Sequence, residues 1–276
     1  MSGRWWRAAC LAAAVCVAST PGALAEDVAA VAPKSTDGVL FETSARLRLG
    51  WTEIAFRGNR PKAWDATTTP ELRASLRILE GLLEAKIEIG AWADHFAHFD
   101  STDVNALRGD AQLGINSGTW SYLLEYKIRE IFEPGYDAFV ADLETYDLRI
   151  RKRFAASLFA GAPAGLFQAT FAAGYTAATP RFGARNFAEF EIELVQRLDS
   201  GITLTLAPKL ELADYINFPA DRQDATLSLR IIPAYNFAGG LTLSLEGQAT
   251  VAISTLENKT GEIWSLTPIM KFQKAW

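Results

Sequence analysis

From residue 41 onward, apolar and polar side chains trade places at nearly every step. Phe41, Ala45, Leu47, Leu49 and Trp51 fall on one parity, while Glu42, Ser44, Arg46 and Arg48 fall on the other. Leu72, Ala74, Leu76 and Ile78 oppose Glu71, Arg73, Ser75 and Arg77 in the same way. Leu204, Leu206, Leu210 and Leu212 oppose Thr203, Thr205, Lys209 and Glu211 much further along. A strand turns successive side chains to opposite faces, so period two predicts strands with one oily and one wet side. Twelve such segments follow one another to the C-terminus.

Their connections alternate in length. Short turns are expected at Glu80-Gly81, Asn116-Ser117-Gly118, Ala162 to Gly165, Asp199-Ser200-Gly201 and Ala238-Gly239-Gly240. Longer polar loops are expected across 57–70, 93–104, 130–141, 177–187, 214–224 and 254–261. Arg151-Lys152-Arg153 is a rival position for the third turn. An even strand count, with tight turns at one end and long loops at the other, predicts an all-β, closed antiparallel transmembrane barrel of about 12 strands. Its short turns would be periplasmic and its long loops extracellular.

A soluble sandwich would alternate as well. The ionic residues on the wet face of nearly every strand favour lipid outside and water inside. In lipid, an open sheet edge would leave backbone groups unpaired at several kcal/mol each. Three features pull the other way. Thr69-Pro70-Glu71 resembles a helix start, Phe187 to Leu198 is helix-friendly, and Pro208, Pro233 and Pro268 lie inside expected strands, where local bulges would accommodate them. The stretch between Arg153 and Arg181 carries no charge, but its glycines and Pro163 disfavour a membrane helix.

The first 25 of the 276 residues read as a cleaved leader. Arg4 and Arg7 precede an apolar run from Ala8 to Ser19, and Ala23-Leu24-Ala25 supplies the small residues of a cleavage site. Residues 26–38 form a short periplasmic lead, and 39–276 form the barrel. Both cysteines, Cys10 and Cys16, lie in the leader, which excludes disulfides and thiolate metal sites from the remainder. Without Arg4 and Arg7 the whole-chain charge of −5 becomes −7, an unsuitable field for nucleic acid.

Trp276 ends the chain, with Phe272 and Met270 on its parity. This resembles the C-terminal signature of Gram-negative outer-membrane β-barrels, although Lys274 departs from the apolar pattern. The resemblance implies export to the outer membrane and recognition of the last strand by the barrel assembly machinery, with outer-membrane lipid as the surrounding partner. Aromatics near strand ends (Trp51, Trp120, Tyr122, Tyr175, Tyr215, Tyr235, Phe237 and Trp264) are expected to form interfacial girdles.

Twelve strands tilted near 40° give a diameter of roughly 24 Å and an opening on the order of 10 Å. Arg46, Arg48, Arg73 and Arg77 on the first two strands, and Glu189, Glu191 and Glu193 on the eighth, are the expected lumen lining. Basic and acidic walls facing each other would orient small polar or charged solutes in a narrow porin-like channel. Alternatively the same charges pair and fill a structural barrel, or one that helps export an envelope polymer. A third reading, a lipid hydrolase, rests on His95 and His98, with Asp94, Asp100 and Ser101 nearby. No catalytic residue, metal site or cofactor is assigned.

Overall fold

The computed structural model describes residues 38–54, 63–98, 103–134, 138–157, 165–199, 201–256 and 259–275. The leader, nearly all of the N-terminal lead, Ser101 and Trp276 lie outside them. Twelve strands follow in order: β1 (Gly38–Ile54), β2 (Ala63–Glu80), β3 (Leu83–Phe96), β4 (Val104–Ser117), β5 (Trp120–Phe132) and β6 (Phe139–Ala156). The second half comprises β7 (Gly165–Thr179), β8 (Arg185–Asp199), β9 (Ile202–Tyr215), β10 (Arg222–Asn236), β11 (Leu241–Ser254) and β12 (Gly261–Ala275). A short 3-10 helix, Arg181–Gly183, joins β7 to β8.

Every strand pairs antiparallel with its sequence neighbours. β12 returns to β1, with Phe272 opposite Ala45 and Met270 opposite Leu47, and closes the ring. Closure removes both sheet edges, which a hydrocarbon environment requires. The tight turns need glycine where the backbone enters the left-handed region, as at Gly81 (φ 57°) and Gly118 (φ 60°).

Burial is inverted relative to a water-soluble domain. Leu72, Leu113, Leu124 and Ile253 are 65, 63, 60 and 63% exposed, whereas Asp65, Glu71 and Asp147 are 1, 3 and 2% exposed. Leaving one such leucine in water forgoes about 1.5–3 kcal/mol, and the apolar skin here runs around the whole ring. Only an apolar surround makes that arrangement stable. Among the described residues no helix is long and apolar enough to cross a membrane.

The strands run deeper into the expected loops than the sequence pattern suggested. β2 already begins at Ala63, so Thr69-Pro70-Glu71 is strand, and Phe187 to Leu198 lies within β8. β6 continues through Arg151-Lys152-Arg153, so the chain does not turn there. Cross-strand pairing overrides the local helical spacing in both helix-like stretches.

The prolines correct a second expectation. Pro70, Pro208, Pro233 and Pro268 cause no bulge; the register shifts lie at Ile131/Phe132 and Arg197/Asp199. Each proline instead opens the ladder on one flank and keeps the register. Pairing skips from Thr68↔His95 to Glu71↔Trp92, and from Glu191↔Lys209 to Leu194↔Leu206. It likewise skips from Ile231↔Gly247 to Ala234↔Ser244, and from Arg48↔Ile269 to Trp51↔Leu266. On the other flank pairing runs straight through: Pro70 faces Leu47, Pro208 faces Leu229, Pro233 faces Leu204 and Pro268 faces Leu245. A strand residue directs its N–H toward only one neighbour, so the missing donor disturbs only that side.

Candidate functional site

The polar parity of all twelve strands points into the ring, where ionic side chains gather in networks. On β1 to β4, Arg46 (3.6 Å), Arg48 (3.5 Å) and Arg73 all pair with the buried Glu71. Arg73 (3.4 Å) and Arg108 (3.0 Å) also reach Glu88, while Arg77 pairs with Glu84 at 2.8 Å. On β5 and β6, Arg149 bridges Glu125 (2.6 Å) and Asp147 (2.7 Å), with Lys127 against the same two carboxylates. On β8 to β10, Lys209 pairs with Glu189 at 2.7 Å and Arg230 with Glu191 at 2.6 Å.

The expected lining residues therefore face inward, and nearly all of them meet opposite charge on their own wall. The four arginines of β1 and β2 meet Glu71, Glu84 and Glu88 from β2 and β3. Glu189 and Glu191 meet cations from β9 and β10. Cross-strand neighbours lie about 5 Å apart, far closer than the opposite wall, so local pairing dominates any field across the lumen.

Between β4 and β10, toward the end carrying the longer connections, the interior holds a cavity of about 520 Å³. Seven cations line it: Arg108, Lys127, Arg129, Arg149, Arg185, Lys209 and Arg222. Four carboxylates accompany them: Asp110, Asp147, Glu189 and Glu211. Phe182 and Gly183 of the 3-10 helix form part of its boundary. Tyr215 sits between two guanidinium groups, with the Arg222 carbon 3.9 Å and the Arg185 carbon 5.7 Å from its ring centroid. Arg185 also donates a hydrogen bond to the Tyr215 hydroxyl at 3.0 Å.

Apart from Glu189, these residues were not among the sequence candidates, although the signal was present. Tyr215 shares its parity with Lys209 and Glu211, and the structure turns it inward. This removes Tyr215 from the expected girdle, where nearness to a strand end had placed it.

No protein-family model matches the sequence, and no curated protein matches it. Comparison with solved structures finds an outer membrane channel from Pseudomonas putida F1, at 13% identity and a TM-score of 0.53 over 88% of this chain and 100% of that one. The KdgM porin, solved with disordered oligogalacturonate, aligns at 10% identity and a TM-score of 0.47 over 83% of this chain and 98% of its own. The β domain of a Bordetella autotransporter aligns at 13% identity and a TM-score of 0.43 over 84 and 98% of the two chains. This is the fold of the bacterial outer-membrane β-barrels.

As an outer-membrane-type barrel, the molecule shows the expected aromatic skin. Trp51, Tyr122, Tyr235 and Trp264 are exposed on the outer face, and outward-facing Trp120 lies under the Lys152 ammonium at 4.8 Å. Met270 and Phe272 of β12 also face outward, each 48% exposed.

The histidines end up in separate pairings at the barrel rim. His95 Nδ1 lies 3.3 Å from Asp103, and His98 Nδ1 lies 2.9 Å from Asp65. Asp94 instead accepts hydrogen bonds from Thr69 (2.6 Å) and Trp92 (3.1 Å). Among the described residues no group of three or more His, Cys, Asp or Glu side chains is arranged to hold a metal.

Proposed function

We propose that the protein is an outer-membrane channel for small polar or charged solutes. The observation that carries this reading is the ion-lined cavity inside a closed ring whose outer skin is apolar. A volume of about 520 Å³ lies within the roughly 300–1,000 Å³ typical of small-molecule sites. The apolar skin supports residence in a bilayer, and the leader supports export to the outer membrane.

A second reading, a non-conducting structural barrel, draws on the dense same-wall ion pairs and on Leu123. Leu123 is 1% exposed and opposes Gly114 on the inward parity. Purified protein inserted into planar bilayers separates the two. Discrete single-channel steps are expected; a silent bilayer despite verified insertion would overturn the channel and leave the structural reading.

A further inference from the structure

The charges of the cavity are matched at short range. Arg108 is held by Asp110 and Glu88, and Arg149 and Lys127 by Glu125 and Asp147. Arg185 is held by Glu211, Lys209 by Glu189 and Glu211, and Arg222 by Asp224. Four of these carboxylates line the cavity, and Glu88, Glu125 and Asp224 pair with its lining cations from beside it. Seven carboxylates thus answer seven cations. Arg129 rests over the ring of Trp92 at 5.4 Å, and the Trp92 N–H donates to Asp94 at 3.1 Å. The remaining ionic wall is built likewise, with Glu71 collecting Arg46, Arg48 and Arg73.

The wall that completes the ring is polar with few charges. On β11 and β12 the inward parity carries Ser244, Gln248, Thr250, Ser265 and Thr267. Glu246 and Lys271 are the only charged residues on that parity among the described residues of these two strands. Hydroxyl and amide groups both donate and accept hydrogen bonds, as Gln248 already does toward Thr250 at 3.0 Å. The Phe182 ring, 44% exposed, adds an apolar surface at the cavity boundary.

We propose that the solutes this lumen favours are net-neutral and polyhydroxylated, in the class of small sugars and polyols. The inference rests on the channel reading above and narrows it. An ion entering a confined lumen gives up hydration, and only unmatched charge of the opposite sign compensates that loss. The counter-charges here are already engaged by their neighbours. A hydroxyl group gives up far less, and it meets acceptors and donors on both the ion pairs and the hydroxyl-bearing wall. The C–H face of a sugar ring suits the exposed Phe182, in keeping with sites that combine aromatic surface with a few polar groups.

Uptake of radiolabelled glucose, glucuronate and glucosamine into proteoliposomes is compared at mildly acidic pH, because the three are close in size and differ chiefly in charge. Reversal potentials are measured in planar bilayers under a KCl gradient. Glucose is expected to enter faster than either charged analogue, by roughly threefold or more, and the reversal potential is expected to lie near zero. The double variant E125Q/E211Q strips carboxylates from Arg149, Lys127 and Arg185. It should shift the reversal potential toward chloride and raise glucuronate uptake relative to glucose, whereas K152Q on the outer face should change neither. Should the double variant fail to fold, the wild-type comparison still decides. Uptake of a charged analogue equal to or faster than glucose, a strong wild-type preference for one ion, or an unmoved reversal potential in the folded double variant overturns the neutral-solute inference and leaves a conducting channel intact. No uptake and no conductance after verified insertion overturns the channel reading itself.

Discussion

Asp65 clasps His98 twice: one carboxylate oxygen accepts the His98 backbone N–H at 3.1 Å, and the other lies 2.9 Å from its ring Nδ1. Asp65 is 1% exposed at the start of β2, and His98 lies just beyond β3. The residue that suggested hydrolytic chemistry thus fastens a connection to the rim. Replacing Asp65 with Ala leaves a backbone donor without its acceptor and should cost about 1–3 kcal/mol. His98→Ala removes only the ring contact and should cost less. Urea titration of the vesicle-inserted protein, followed by tryptophan fluorescence, measures both.

Glu71 is the anion on which the β1–β2 cluster depends. It is 3% exposed and pairs with Arg46, Arg48 and Arg73. Glu71→Ala leaves three partly buried guanidinium groups facing one another and should destabilise the barrel by about 3–5 kcal/mol. Adding Arg48→Met should recover part of that loss. Additive losses in a double-mutant cycle would show that the pair is not coupled.

The inverted burial makes neighbouring positions respond oppositely to the same substitution. Leu113 faces outward and is 63% exposed, whereas Gln112 faces the lumen. An arginine introduced at Leu113 should cost about 2–4 kcal/mol in a bilayer, and one introduced at Gln112 much less. Equal costs in a vesicle folding titration would contradict the outward assignment of the leucine face.

Gly114 and Leu123 form one packing unit within the lumen. A Cβ built on Gly114 collides with Cδ2 of Leu123. Gly114→Ala should destabilise by about 1–3 kcal/mol, and Leu123→Ala in the same chain should relieve most of the collision. Leu123→Ala alone is expected to raise single-channel conductance by widening the interior at that level.

How much was legible can be judged from particular residues. The alternation around Leu72–Arg77 and Leu204–Glu211 sets strand existence and facing, because each side chain's direction follows from its own backbone. Pro208, Pro233 and Pro268 suggested local bulges, whereas each opens the ladder on one flank only and keeps the register. Tyr215 was misplaced by its distance from a strand end, though its parity already pointed inward.

The sequence alone therefore determined the strand count, the oily skin and the ionic interior, all consequences of a two-residue repeat. Tertiary structure decided which ionic groups meet. Ring closure and register bring Arg46, Arg48 and Arg73 onto Glu71, and set Arg185 and Arg222 on either side of Tyr215. Electrostatic energy depends on distances between strands, and the fold fixes those distances between residues far apart along the chain.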